Sequence, residues 1–517
     1  MNLTSTKFNR LGVDAPLFLL SAGFIICFCL FALFDLKTLS QWVDASFAWS
    51  AKYFGLYWQL LLLATFIIAI ATALLPAAKQ RIGNLAAPEF SLFQWGAMIM
   101  CTLLAGGGVF WAAGEPMAHF LSMPPQFNHV AAATPEAVPY ALAQSYLHWG
   151  FLAWAILGSL TTIMLMHYHY DKGLPLAPRT LLYPVFKEKA LSGPIAVIAD
   201  AVCIVAVVAG TVGPIGFLGL QVSYGLNALF AIPDTTLTQV SVIGVLTFIF
   251  VMSAVSGVTK GIQILSRLNM LLALVLLAFI LVAGATSFIF TSFFSGLITH
   301  FSHFFDMALY RGEAGLFNDA GWLGWWTVFF WGWFLGYGPM MAIFIARISR
   351  GRSIRAIIIM LCIVAPLITM FWFTIVGGTG LSLELEQADT ISKAFAGFNL
   401  PAALIAITQA LPLGGLVSLL FLILTLTFVA TTGDSMTYVL SVSTSHSEHP
   451  AVPIRVFWGI AMGLMGSILI IIGSGGIDKL QAFIVVTAVP VSIILLPSLW
   501  DAPRIVFAQA KNPPPHA

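Results

Sequence analysis

Trp331-Gly332-Trp333-Phe334-Leu335-Gly336-Tyr337-Gly338-Pro339 lies in the middle of an apolar run covering residues 320–347. A run of that length is enough for a membrane-spanning helix, which needs about 20 mostly apolar residues. Three glycines and a proline in nine positions weaken the helix and free backbone groups. In lipid such groups are tolerated only where they face protein or a water-filled cavity. The stretch therefore reads as a broken span lining the interior of an all-α membrane bundle.

Working outward from it, twelve candidate spans are found, at 15–35, 54–76, 91–115, 140–167, 196–224, 237–256, 265–288, 320–347, 353–376, 412–442, 455–474 and 479–498. The third holds a second run of this kind, Ala105-Gly106-Gly107-Gly108, followed by Glu115-Pro116. Spans 3 and 8 are five helices apart, so they open two five-helix repeats. Paired interruptions in corresponding helices are the best sequence pointer to a transporter's central site. The competing reading is that the glycines only allow close helix packing. The expected layout is residues 1–90 for the N-terminal tail and two added helices, 91–288 for the first repeat and 320–498 for the second. Between the repeats, 289–319 reads as an amphipathic interfacial helix and loop, or as a helix packed on the bundle. Residues 499–517 form a short tail, too small to fold alone.

Composition agrees. Of 517 residues, 60% are hydrophobic and 8% charged, against about 25% charged in a soluble domain. The surface has to be covered by lipid. A net charge of +2, with no Lys/Arg block, gives no reason to expect a nucleic-acid partner. With both termini on the cytoplasmic side, 17 of the 22 Lys and Arg fall in cytoplasmic segments. That asymmetry follows the positive-inside rule and favours an even number of spans in the inner membrane. Five cysteines, all in apolar stretches, do not support loop disulfides. His167 and His169 are close together but have no Cys beside them, and they are not read as a metal site.

The aromatic residues near the interruptions are the candidate binding groups. Trp333 and Tyr337 share a helix face, with Met341 a turn further and Phe334 alongside. Span 4 adds Trp149 and Trp154, and Trp111 follows the glycines of span 3. Aromatic faces attract quaternary ammonium and sulfonium groups, at about 0.5–2 kcal/mol per ring. Trp and Tyr are also ordinary at membrane interfaces, but a midspan position beside glycines is less so. Span 10 contains Phe428-Val429-Ala430-Thr431-Thr432-Gly433-Asp434. Its adjacent hydroxyls suit an alkali cation, unless they simply bond back to the preceding turn. Glu115 and Asp434 are acidic groups in apolar helices, which marks them as functional candidates or as structurally paired groups.

These motifs resemble the betaine/choline/carnitine transporter family. The most specific is Ile345-Ala346-Arg347-Ile348-Ser349-Arg350-Gly351-Arg352-Ser353-Ile354-Arg355. Phe110-Trp111 with Glu115-Pro116, His148-Trp149 with Trp154, Gly261-Ile262-Gln263 and Thr431-Thr432-Gly433-Asp434-Ser435 follow the family order. The resemblance implies a LeuT-like inverted repeat, a homotrimer, and alternating access around a cage of Trp149, Trp154, Trp333, Phe334 and Tyr337. It also implies a sodium site made by the carbonyls of Cys101, Leu104 and Phe428 with the hydroxyls of Thr431 and Thr432. No other cofactor is implied, and the Arg-rich loop is expected to gate or couple. Phe334 and Tyr337 stand where many members carry Trp, and Leu157 replaces a Tyr. Val207 and Met340 fall at the second sodium site. A compact methylated zwitterion or cation and a single strongly coupled sodium are therefore expected. Sodium-independent exchange and proton coupling are the alternatives within this class. An enzyme would need a nucleophile–base pair or metal cluster, and a channel a polar pore ring. Neither is found in the sequence.

Overall fold

The computed structural model describes residues 12–103, 108–256, 259–312, 321–447 and 449–511. Among these the secondary structure is helical, apart from two isolated bridges, Val13 to Ser445 and Arg81 to Ser353. Helix α1 (Ala15–Phe34) starts where the Asp14 carboxylate accepts from the Leu17 amide at 3.3 Å, with Pro16 in the first turn. The Asp35 carboxylate accepts from the Thr38 amide at 3.0 Å and starts α2 (Leu36–Leu74). Then follow α3 (Leu92–Leu103), α4 (Val109–Leu121), α5 (Ala137–Trp149), α6 (Phe151–Met166), α7 (Gly193–Phe230), α8 (Thr236–Ser256), α9 (Thr259–Ala283) and α10 (Thr286–Ser302). The second half holds α11 (Phe329–Ile348), α12 (Ala365–Glu386), α13 (Leu400–Ala410), α14 (Gly414–Ser443), α15 (Val452–Ile472), α16 (Asp478–Leu495) and α17 (Ser498–Lys511).

Ten helices among the described residues are long and apolar enough to cross a membrane, and an eleventh if the pair bent by 102° at Gly284 is one span. The ten fall on ten of the twelve expected spans. The seventh is the bent pair, and the third falls on α3 and α4, the residues between them, 104–107, lying outside the described ones. All of the spanning window in Ala137–Asp171 is buried, against 28% of that in Thr236–Ser256. Helices α5 and α6 are thus the axis of the bundle, enclosed by α2, α4, α10, α11 and α12.

The eighth span differs from expectation. Helix α11 runs unbroken through Gly332, Gly336, Gly338 and Pro339, and its irregular turn lies earlier, a π-type turn at Gly324–Val328. The glycines are packing surfaces. A Cβ on Gly332 would stand 2.8 Å from the Trp58 ring, and one on Gly338 3.3 Å from the Ile156 carbonyl. The break sits in span 4 instead. Gly150 (φ −97°, ψ −133°) separates α5 from α6, and α6 leaves helical geometry again at Gly158. A side chain on Gly150 would run into the Tyr146 carbonyl and the Met370 methyl.

The segment expected to lie amphipathic in the interface packs its polar side inward. Ser292 and His300 of α10 are buried against α5, while Phe290, Phe294, Ile298 and Phe301 form an exposed apolar stripe. One ring nitrogen of His300 is satisfied, Nδ1 lying 3.2 Å from the Ala143 carbonyl.

The Arg-rich loop is a latch on the residues after α2. Arg355 donates from Nε and Nη2 to the Ala73 and Leu75 carbonyls at 2.7 and 2.9 Å, capping α2. Arg352 donates to the Phe90 carbonyl at 2.6 Å and lies 4.7 Å over the Trp95 ring. Arg350 bonds Glu89 and stands over Tyr170. Gly351, at φ +75°, accepts at its carbonyl from Arg81 at 2.6 Å, and a Cβ there would overlap the Ala87 carbonyl. The tail is also ordered further than expected. Helix α17 docks through buried Ala502, Ile505 and Val506, and the Tyr168 hydroxyl donates to Asp501 at 2.6 Å.

Candidate functional site

The interior of the bundle is a wall of aromatic rings at the crossing of α5, α11 and α12. The indole of Trp149, the last residue before the Gly150 break, has its centroid 5.9 Å from Trp333, 5.5 Å from Phe334, 5.3 Å from Phe330 and 5.1 Å from Phe373. Three of the four contacts are edge-on, at 61–84° between ring planes, which places positive ring edges on negative faces. Trp149, Trp333 and Phe334, singled out from sequence, are thereby brought together. Trp111 is one layer away, joined to Trp333 through Phe217 and Phe329. Among the described residues the ring contacts do not extend to Trp154 or Tyr337. The Trp154 indole donates to Thr369 of α12 at 3.0 Å. Met341 is buried one turn past Tyr337.

Helix α7 fixes the α11 side of the wall. Trp333 Nε1 donates to the Gly210 carbonyl at 3.2 Å. The Tyr337 hydroxyl lies 2.9 Å from the Thr211 hydroxyl, which donates to the Val207 carbonyl at 2.8 Å. Glycine at 210 lets the phenol ring lie flat on the α7 backbone. A Cβ there would stand 2.8 Å from Tyr337 Cδ2 and nearer still to Cε2.

On the α4 side, Glu115 is fully buried and has three neighbours. Trp149 Nε1 donates to its Oε2 at 2.7 Å, His148 Nδ1 lies 2.5 Å from Oε1, and His119 Nε2 lies 3.5 Å from Oε1. Further out, Gln126 Nε2 donates to Gln144 Oε1 at 2.6 Å, and Gln144 Nε2 lies 2.9 Å from His148 Nε2. This network assigns the tautomer: the Gln144 amide donates to His148 Nε2, so the His148 proton is on Nδ1 and points at Glu115. Glu115, His119 and His148 are close enough together to suggest a metal. Both ring nitrogens of His148 are already hydrogen-bonded, Nδ1 to Glu115 and Nε2 to Gln144 and Thr327, so a metal would have to displace one of these bonds. Phe330 stacks on the His148 ring at 4.9 Å, and Trp326 lies tilted by 51° against that of His119 at 4.4 Å.

The expected sodium ligands are only partly in view. Thr431 Oγ1 donates back to the Thr427 and Phe428 carbonyls at 3.0 and 3.1 Å and accepts from Asn269 Nδ2 at 3.4 Å. Helix α14 is continuous there, and Thr432 is half-buried. The Phe428 carbonyl and the Thr431 hydroxyl are hard oxygens of the kind an alkali cation takes, and here they bond each other. Cys101 belongs to α3, whose packing is against α12. Leu104 lies outside the described residues. Asp434 bonds Ser253 of α8 and is thus a structurally paired acid.

Sequence reasoning missed Phe330, Phe373 and Trp372. Trp372 Nε1 donates at 3.2 Å to the Gly108 carbonyl, at the end of the glycine run of span 3. The signal available was the run Phe371-Trp372-Phe373 ahead of Gly377-Gly378. Its meaning depended on knowing that α12 faces α4 and α5.

A many-helix membrane bundle with interrupted helices and convergent aromatic and polar groups at its centre has the architecture of a membrane transporter. The chain belongs to the betaine/carnitine/choline transporter family, whose profile matches residues 16–511. It is 56% identical over 504 residues to glycine betaine transporter 2 of Vibrio parahaemolyticus, covering 98% of this chain and 92% of that one. It is 33% identical to a glycine betaine transporter of Bacillus subtilis, over 85% and 84% of the two chains. An ectoine/hydroxyectoine transporter of Virgibacillus pantothenticus is 29% identical over 98% and 99%.

Proposed function

We propose that the protein is a sodium-coupled secondary transporter that imports a small methylated onium compound, glycine betaine first among them, by alternating access. The ring wall of Trp149, Trp333 and Phe334 carries this reading, because aromatic faces are the natural partner of a trimethylammonium head. The rings now pack on one another, so a bound head requires them to part. The functions printed for the Vibrio and Bacillus relatives support glycine betaine as substrate.

The remaining parts of the proposal are twelve spans in a LeuT-like 5+5 inverted repeat, an inner-membrane location with both termini cytoplasmic, and a homotrimeric assembly. The positive-inside count and the resemblance support them. One sodium would be carried at Phe428, Thr431 and Thr432, with the carbonyls of Cys101 and Leu104 opposite. Inward movement of one positive charge gains about 2.3 kcal/mol per 100 mV. A second sodium finds little to hold it near α7, since Val207 has no side-chain oxygen and Thr211 is already bonded to Val207 and Tyr337.

The test is uptake of labelled glycine betaine by proteoliposomes under a sodium gradient, with betaine, choline, carnitine, ectoine and taurine as competitors. Concentrative, sodium-dependent uptake blocked best by methylated onium compounds is expected. Undiminished uptake in potassium buffer without sodium would overturn the coupling. Stronger competition by taurine than by any onium compound would overturn the cage.

A further inference from the structure

The transport reading uses the faces of Trp149 and leaves a buried carboxylate behind it unexplained. Glu115 has no exposed surface, sits in an apolar span, and bonds the one polar atom of the indole at the centre of the ring wall. A carboxylate in that position carries a desolvation cost. The cost is offset by two hydrogen bonds, one to each carboxylate oxygen, from His148 and Trp149.

The donors are arranged in one direction. Gln126 donates to Gln144, Gln144 to His148, and His148 to Glu115, while Trp149 donates from the other side. Each group has its orientation set by the one before it, and the chain ends on the two carboxylate oxygens. Glu115 is on α4, whereas His148 and Trp149 are the last two residues of α5 before the Gly150 break. Without this bond the Trp149 indole, at the end of a helix, would be held by ring contacts alone.

We propose that Glu115 is a positioning residue for substrate: it tethers the Trp149 indole through Nε1–H, sets which face the ring presents to Phe334 and Trp333, and is itself held by the Gln126–Gln144–His148 chain. The inference rests on the cage reading above. Glutamine at 115 is isosteric but has one acceptor oxygen for two inward-pointing donors. Either the indole or the imidazole then faces an amide N–H, and one bond is lost.

The test is a double-mutant cycle on glycine betaine uptake, with KM and with Vmax per transporter molecule in the membrane. A hydrogen bond to a charged group is worth about a tenfold change in affinity. Glu115→Gln is therefore expected to raise KM about tenfold with Vmax per molecule within twofold. Trp149→Phe, which keeps a ring but has no N–H, should raise KM too. In the Trp149→Phe background, Glu115→Gln should add less than a twofold change, because the bond it acts through is gone. A merely structural carboxylate would show equal effects in both backgrounds or lower Vmax instead, and that result overturns the proposal. If Glu115→Gln does not reach the membrane, Glu115→Asp, with both acceptors one methylene farther back, goes through the same cycle. Unchanged KM in Glu115→Gln with raised KM in Trp149→Ala overturns the tether alone. Unchanged KM in Trp149→Ala overturns the cage and the tether with it.

Discussion

Gly210→Ala is the smallest change that probes the wall, and its sign is set by two opposing terms. Position 210 is in the middle of α7, where Ala is favoured over Gly by about 0.5–1 kcal/mol. Against this, the new methyl would lie 2.8 Å from Tyr337 Cδ2, where carbon atoms pack best at about 3.5–4.0 Å. The ring is buried and its hydroxyl is held by Thr211, so it has little room to retreat. Overpacking of this kind costs about 1–3 kcal/mol. The clash outweighs the propensity gain, and a net loss of about 1–2 kcal/mol is expected. The same methyl displaces the backbone carbonyl that holds Trp333, so KM for betaine should rise with stability lost. Thermal unfolding of the purified protein and uptake kinetics give both readouts. In a Tyr337→Leu background the clash disappears, and Gly210→Ala should become neutral or stabilising. A stabilised single variant, or an equal penalty in both backgrounds, refutes the reasoning.

Three other outcomes are expected. Trp333→Ala should lose about 1–2 kcal/mol of betaine affinity and Trp333→Phe less, measured by substrate-induced fluorescence or calorimetry. Tighter binding in the Ala variant would contradict this. Arg355→Ala removes both caps of the α2 end and should cost about 1–3 kcal/mol of stability, with Lys recovering only part because it lacks the two-pronged donor. Unchanged thermal stability would show the latch to be dispensable. Sodium activation of uptake should have a Hill coefficient near one and be weakened by Thr431→Ala, while a coefficient near two that Thr211→Ala abolishes would show a second ion at α7.

Spans were legible because a lipid solvent forces long apolar runs, and among the described residues ten of the expected twelve appear as helical segments long and apolar enough to cross a membrane, one of them jointed at Gly150. Trp149, Trp333 and Phe334 were legible because aromatic residues beside glycines are unusual at midspan. What glycine does was harder to read. The same residue type opens α11 to close neighbours without bending it, and breaks span 4 at Gly150. The difference lies in the partner: Met370 and the Tyr146 carbonyl occupy the space at 150, and these come from a packing that one sequence does not state. Thr431 looked like an ion ligand and is also a hydroxyl bonding back to its own turn. Glu115 was ambiguous because its function depends on partners 33 and 34 residues away.

The two glycine joints of span 4 have a mechanical consequence. A rod with one joint can only bend, whereas one with two joints in series behaves as a crank. The piece between them, Phe151–Leu157, is about 10 Å long at 1.5 Å per residue and carries Trp154 at its middle. The two joints let it take a direction of its own between the flanking pieces. Because the whole spanning window is enclosed by protein, any change of angle at either joint would be made against protein and not against lipid. An internal gate hinged there would be separated from the thickness and stiffness of the surrounding membrane.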